Sequence, residues 1–160
     1  MPSGKTHAKW SEALTLTWGI SYGAMYVLGA PAASPEQGLS LGRAVAIGIG
    51  LVVGILITPD IDLLSITHEE RRIQRHLGVV AKRLWMLIWR QYARGIRHRC
   101  PLSHAPIRST LIRAAYLWPA WALAWWLLPQ SWWPLAGWLL VGWIIQDTLH
   151  WAMDLTMKGG

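Results

Sequence analysis

The sequence predicts an all-α integral membrane protein, with four transmembrane helices in two hairpins and a cytoplasmic amphipathic helical insert between them. The 160 residues are 53% hydrophobic and only 14% charged, a low charged fraction for a globular protein. Four long apolar segments occupy residues 13–30, 41–59, 107–129 and 132–153. Each has the roughly 17–25 residues that a helix needs to cross a bilayer. A chain of this length is expected to form one membrane domain, residues 1–160.

The turns and the aromatic residues favour this arrangement over a bundle of buried helices. Prolines punctuate the chain at Pro31 and Pro35, inside the first hairpin, and at Pro129 and Pro134, inside the second. The aromatic residues comprise 13 Trp, 4 Tyr and no Phe. Trp and Tyr prefer the boundary between membrane and water, where the ring is buried and its polar atom stays hydrated.

The distribution of basic residues predicts the orientation. The formal net charge is +7, and 14 of the 15 Lys and Arg residues lie at the side that holds both termini and the insert, with only Arg43 at the other. The positive-inside rule places that side in the cytoplasm, in a multi-pass protein of the cytoplasmic membrane. The basic surplus is thereby explained without nucleic acid. Membrane lipids are the expected partners, together with a second copy or another membrane protein. The first residues, Met1 to His7, do not resemble a secretory signal.

The insert, residues 61–106, is predicted to be helical. Thr67 to Glu70 has the form of a capping box that starts a short helix through His76, and a second, amphipathic helix is expected over residues 79–96. This second helix could lie in the headgroup layer or pack against neighbouring loops. Its apolar face is predicted to hold Leu84, Trp85, Ile88 and Tyr92, and its basic face Arg83, Arg90 and Arg94.

Ionisable residues occur at the ends of the apolar segments that the two hairpins place on the cytoplasmic side. Such groups are costly to bury without partners, so a shared role is expected. Imidazole and carboxylate groups together suit a divalent ion, with zinc as the first choice and manganese or iron as alternatives. The candidate ligands are His7, Asp60, Asp62, His98, His104, His150 and Asp154.

Each of these residues also has an ordinary interpretation. Asp60 and Asp62 could simply end the second segment, and His150 and Asp154 could be a surface pair four residues apart on one helix face. Their convergence on one side favours the metal site, and seven candidates leave room for one or two ions. His68 and His76 are interpreted as solvated side chains, Cys100 as a bystander, and Asp147 as an internal polar or supporting residue.

The same residues carry a resemblance to a known family. In their order, the segments Met1–His7, Pro59–Leu63, His98–His104 and His150–Asp154 resemble the signature of a bacterial family of metal-binding membrane proteins. They are also similar to the YdjM-like metal-dependent hydrolases of the inner membrane. The resemblance implies that the seven candidates are the ligands. Ala8 and Ser109 depart from the pattern, where Asp and Gly are expected.

The leading functional prediction is a metal-dependent hydrolase that acts on an ester or phosphoester at the cytoplasmic membrane face, where a lipid-like substrate is favoured by position. Asp62 or Asp154 would accept the proton of the attacking water, and Arg99 would stabilise the developing oxyanion. The alternative is a non-catalytic, metal-stabilised scaffold or assembly factor with a closed site. Metal transport ranks last, because the second and third segments lack ionisable residues in their central parts.

Overall fold

The protein is built from helices. The computed structural model describes residues 4–27, 41–62, 68–96, 100 and 105–156. Short 3₁₀ turns occur at Pro59–Asp62 and Gln130–Trp132. These ranges contain no strand, so the predicted all-α class is confirmed. The helices are α1 (Gly4–Val27), α2 (Leu41–Leu56), α3 (His68–Gly95), α4 (Pro106–Tyr116), α5 (Trp118–Leu127) and α6 (Trp133–Thr156).

Helices α2 and α6 pack side by side and run parallel. A β-carbon on Gly50 would lie 2.0 Å from the backbone oxygen of Leu139, and one on Gly142 would lie 2.1 Å from that of Ile47. Only glycine lets two helices approach this closely. The C-terminal ends of the two helices therefore lie at the same end of the molecule. The two helices run in the same direction because later residues of α2 contact later residues of α6. The contacts are Gly42–Leu135, Gly50–Leu139 and Gly54–Gln146.

Helix α3 is kinked at Gly78, whose φ of 85° and ψ of 177° interrupt the helical conformation. This is the point at which the sequence predicts one helix to end and the next to begin. A positive φ is readily adopted by glycine and by few other residues. The proposed capping residue Thr67 lies outside the described residues.

The buried face of α3 matches the predicted one only in part. Tyr92, on the predicted face, is 4% exposed, but Leu84 and Ile88 are 58% and 46% exposed. Trp89, which the prediction left out, is 2% exposed. The aromatic rings face Tyr116 of α4, whose hydroxyl donates to the backbone oxygen of Ile88 at 2.6 Å. Helix α3 also contacts the 3₁₀ turn Pro59–Asp62. It therefore packs against a loop, as one of its two predicted placements requires, while contact with headgroups stays a prediction.

The third apolar segment is broken rather than continuous. Helix α4 ends at Tyr116 and α5 begins at Trp118, with Pro119 in its first turn. Proline has no N–H to donate and its ring clashes with the preceding turn, so it starts a helix far better than it continues one. The prediction of one helix over residues 107–129 is therefore wrong.

None of the helices in the described ranges combines the length and the apolarity needed to cross a membrane. The predicted spans correspond in position to α1, α2, α4 with α5, and α6. However, α2 has 16 residues, and α4 and α5 have 11 and 10. Helix α1 begins at Gly4 and includes the polar residues that precede the predicted span. The expectation of four transmembrane helices is thus not supported.

Candidate metal centre

The 3₁₀ turn after α2 holds Asp60 in place through its neighbours. Ile57 and Ile61 are each 8% exposed, and the backbone N–H of Ile61 donates to the carbonyl oxygen of Thr58 at 3.1 Å. Trp143 of α6 donates its indole N–H to the carbonyl oxygen of Ile57 at 3.3 Å. The turn is therefore anchored in the core on both sides of Asp60, while the Asp60 side chain stays 32% exposed.

His150 of α6 lies between two carboxylates. Its side chain is only 5% exposed, and its Nε2 atom is 3.8 Å from Oδ2 of Asp60 and 3.7 Å from Oδ2 of Asp154. Both separations are too long for a hydrogen bond. In an ideal tetrahedral site with bonds of about 2.1 Å, two donor atoms lie about 3.4 Å apart. The spacing therefore suits donors that share a cation better than donors that bond to each other.

Helix direction adds to the negative potential at this end. Asp60 follows the C-terminus of α2, and His150 and Asp154 lie in the last two turns of α6. The unpaired carbonyl groups of a helix C-terminus carry a partial negative charge, which favours a bound cation. The C-termini of the two helices and the two carboxylates therefore all favour a bound cation.

Helix α1 is joined to α3 by an ion pair. Arg72 of α3 forms an ion pair with Glu12 of α1, with 2.5 Å between Nη1 and Oε1. His7 lies in α1, five residues before Glu12. The pair therefore links the first half of α1 to the part of α3 that precedes the kink at Gly78.

The structure describes only part of the predicted ligand set. It brings Asp60, His150 and Asp154 together. His98, Arg99 and His104 lie outside the described residues. His7 and Asp62 lie within α1 and the 3₁₀ turn, but their side chains are not described.

Among the described side chains, no group of three or more His, Cys, Asp or Glu is arranged to hold an ion. Asp60, His150 and Asp154 therefore do not make a complete site by themselves, and the ligand roles stay predictions.

A buried ion pair lies next to the candidate centre. Arg113 of α4 is 0% exposed, and Asp147 of α6 is 1% exposed. The Asp147 carboxylate accepts hydrogen bonds from the Arg113 guanidinium and the Thr110 hydroxyl. The Arg113 guanidinium carbon also lies 5.7 Å from the centre of the Trp143 ring. Asp147 thus has the internal polar role that the sequence suggests, three residues before His150.

Sequence reasoning missed Arg113, which it counted only among the 14 basic residues of the predicted cytoplasmic side. A signal was available, because Arg113 and Asp147 are opposite charges within otherwise apolar segments. Such charges need partners when buried. Thr110 lies three residues before Arg113, on the same helix face.

Gln146 is a second buried polar residue near His150. It is 2% exposed and lies one helical turn before His150. Neither its amide oxygen nor its amide nitrogen has a hydrogen-bond partner within the described part of the chain. Buried polar atoms of this kind are costly unless a ligand or water satisfies them. The donor chemistry around His150 therefore fits a hydrophilic ligand such as a metal ion with its coordinated groups.

Comparison with known proteins agrees with this chemistry. No curated protein and no solved structure matches the chain. A family profile with the description "Uncharacterized metal-binding protein (DUF2227)" matches residues 2–158, which is nearly the whole chain. The chain therefore belongs to this family of metal-binding proteins.

Proposed function

We propose that the protein binds one or two divalent ions at the shared end of α2 and α6. The observation that carries this proposal is the position of His150, whose Nε2 lies within 3.8 Å of carboxylate oxygens from both Asp60 and Asp154. Zinc is the first choice and manganese or iron the alternatives, because imidazole and carboxylate suit all three. His7, Asp62, His98 and His104 complete the proposed ligand set.

The proposed activity is metal-dependent hydrolysis of an ester or phosphoester. A divalent ion in such a site supplies an activated nucleophile at neutral pH and polarises the bond to be broken. Asp60 and Asp154 keep 32% and 20% of their side chains exposed, so a substrate can reach them. Asp62 or Asp154 would accept a proton and Arg99 would stabilise negative charge on the substrate. The motif similarity to YdjM-like hydrolases supports this activity.

A non-catalytic role is the second candidate. Asp60 comes from the turn after α2, and His150 and Asp154 from the end of α6, so an ion held by them would fasten these two elements together. A structural site of this kind is closed to substrate and contributes directly to folding. In this case the protein would be a metal-stabilised scaffold or assembly factor.

The proposed location is the cytoplasmic face of the bacterial inner membrane. The support is the +7 charge of the chain and the exposure of many large apolar side chains, among them Trp126 at 80% and Trp118 at 67%. Basic residues are attracted to anionic lipids. A lipid-like ester would then be within reach of the protein. A second copy or a membrane protein is proposed as a further partner.

Metal analysis of the purified full chain tests the central proposal. Wild type is loaded in turn with zinc, manganese and iron, dialysed and analysed for bound metal. We expect at least one ion per chain for wild type, and most of it lost in Asp60→Ala and His150→Ala. The matched control is His76→Ala, which removes an exposed imidazole of α3 and should leave the metal content unchanged. Wild type without metal, or Asp60→Ala with full metal, contradicts the proposal.

Activity then separates the enzyme from the scaffold. The metal-loaded chain is assayed with bis(p-nitrophenyl) phosphate and p-nitrophenyl acetate. Turnover that falls in Asp154→Asn while bound metal is retained supports the hydrolase. Absence of turnover, combined with a metal-dependent rise in thermal stability, supports the scaffold instead.

A further inference from the structure

An apolar cleft lies at the opposite end of the α2–α6 pair from the candidate metal centre. It has a volume of about 510 Å³. Its walls include Val45 and Ile49 of α2, Trp121 of α5, Trp132 of the 3₁₀ turn and Leu139 of α6. The cleft follows α2 from Leu41 to Ile49, and at 1.5 Å per residue Ile49 lies about 10 Å before the end of α2 at Leu56. The cleft is therefore separate from the proposed metal site.

The size and lining of this cleft suit a small apolar ligand. Ligand pockets commonly have volumes of roughly 300–1,000 Å³ and are lined by hydrophobic and aromatic side chains. The thirteen residues that line this one contain no charged side chain. A polar or ionic ligand would lose its hydration there without gaining a partner.

The surface around the cleft is also apolar. Helix α5, which forms one wall, buries none of its residues, and Trp125 and Trp126 on it are 58% and 80% exposed. On α2, Val45 and Ile49 are 51% and 50% exposed and lie four residues apart on one face. Among the described residues of this surface, Arg43 at its edge is the charged one. An apolar surface of this kind is typical of a region that contacts a partner or a membrane.

The distribution of charge and tryptophan indicates whether this surface contacts a protein or a membrane. No charged residue occurs in the sequence between Arg43 and Asp60, or between Arg113 and Asp147. Protein interfaces have a polar rim, whereas a lipid-contacting surface is apolar throughout and bordered by tryptophan. Arg43, an exposed cation in the first turn of α2, lies at the cleft end and complements a lipid phosphate.

We propose that this cleft holds a hydrocarbon chain of a membrane phospholipid, with the surrounding α5 surface in contact with the bilayer. The inference goes beyond the proposed metal chemistry and does not require it. The phosphate of the lipid would lie toward Arg43 and its chain between α2 and α5.

The test compares two substitutions on α5 of the full-length protein. Ala124→Phe fills the cleft, because Ala124 lines it, whereas Ala120→Phe adds the same volume at an exposed position outside it. Binding of the fluorescent chain probe 11-(dansylamino)undecanoic acid is measured by titration. Each methylene excluded from the cleft weakens binding by about fourfold. We expect at least a tenfold loss of affinity in Ala124→Phe and less than a twofold loss in Ala120→Phe.

Two further measurements keep the proposal falsifiable if Ala124→Phe does not fold. Phosphatidylglycerol should displace the probe from wild type, and wild type should float with vesicles of phosphatidylcholine and phosphatidylglycerol. Equal probe affinity in both variants, failure of the phospholipid to compete, or dimerisation of wild type that Ala124→Phe abolishes would overturn it. The last outcome would identify a second copy as the occupant. Metal content, measured in parallel, reports on the proposed metal site independently.

Discussion

Substitution of Gly142 by alanine tests the contact that sets the spacing of α2 and α6. A β-carbon at this position would lie 2.1 Å from the backbone oxygen of Ile47. To reach an ordinary contact of 3.4 Å, the helices must separate by about 1.3 Å. The obstacle is backbone, so a change of side-chain rotamer cannot relieve it. Overpacking of this kind costs typically about 1–3 kcal/mol and occasionally more.

The expected loss of stability in Gly142→Ala is the difference between two opposing effects. Alanine favours a helix over glycine by about 0.8–1 kcal/mol, which offsets part of the clash. Since the clash involves backbone on both sides, we expect a net loss of about 2 kcal/mol in Gly142→Ala. For a chain of this length this lowers Tm by roughly 4–8 °C. The loss is measured by circular dichroism during thermal and urea unfolding.

Gly137 of the same helix is the matched control, because a β-carbon there would meet nothing within 4 Å. Gly137→Ala should gain up to about 1 kcal/mol from helix propensity alone. Gly142→Ala should also bind metal more weakly, since separation of α2 from α6 changes the spacing of Asp60 and His150. A Gly142→Ala protein as stable as Gly137→Ala would refute the close packing on which this reasoning depends.

Three further predictions concern the core and the candidate centre. Arg113→Met should cost about 3–5 kcal/mol because it removes the guanidinium that pairs with the buried Asp147 carboxylate. The double variant with Asp147→Leu should recover part of this loss in urea unfolding, and an additive double variant would contradict the pairing. Trp89→Ala should cost about 3–5 kcal/mol, whereas exposed Leu87→Ala should change stability by under about 0.5 kcal/mol; similar losses would contradict the assigned faces of α3. Metal at about 100 times its Kd should stabilise wild type by about 2.7 kcal/mol, an effect that should disappear in His150→Ala.

The grouping of Asp60 with His150 and Asp154 could be predicted from the sequence because it depends only on connectivity. Two hairpins of similar length return the chain to the end at which it began. The structure has a different break in the second hairpin, at Leu117, yet α2 and α6 still run parallel. Their ends therefore still coincide. The grouping was predicted correctly although the third helix was not, because the predicted and the observed helices both make α2 and α6 run in the same direction.

Connectivity alone does not predict the buried face of α3 or the environment of Arg113. Trp85, Ile88, Trp89 and Tyr92 all lie on one broad side of the helix, and hydrophobicity alone does not show which of them meets a neighbour. The contact between Trp89 and Tyr116, which lie in different helices, determines which of these residues are buried. Arg113 is a similar case, because its burial depends on an aspartate 34 residues later in the chain.

The two proposals together place strong constraints on how the protein would sit at a membrane. The middle of the cleft, near Val45, lies about 17 Å by helix rise from the end of α2 at Leu56, which the candidate metal centre follows. Half of a bilayer's hydrocarbon core is about 15 Å thick. If Arg43 lies at the depth of the lipid phosphates, an upright α2 would place the centre on the hydrocarbon side of them. An α2 that lies along the membrane surface instead places the centre at the headgroups, where water and the polar part of a lipid are both accessible. A hydrolytic site needs that position, whereas a metal staple functions at any depth. The depth of the centre, measured for example by quenching of a label next to Asp60 with headgroup- and chain-labelled lipids, therefore bears directly on the choice between enzyme and scaffold.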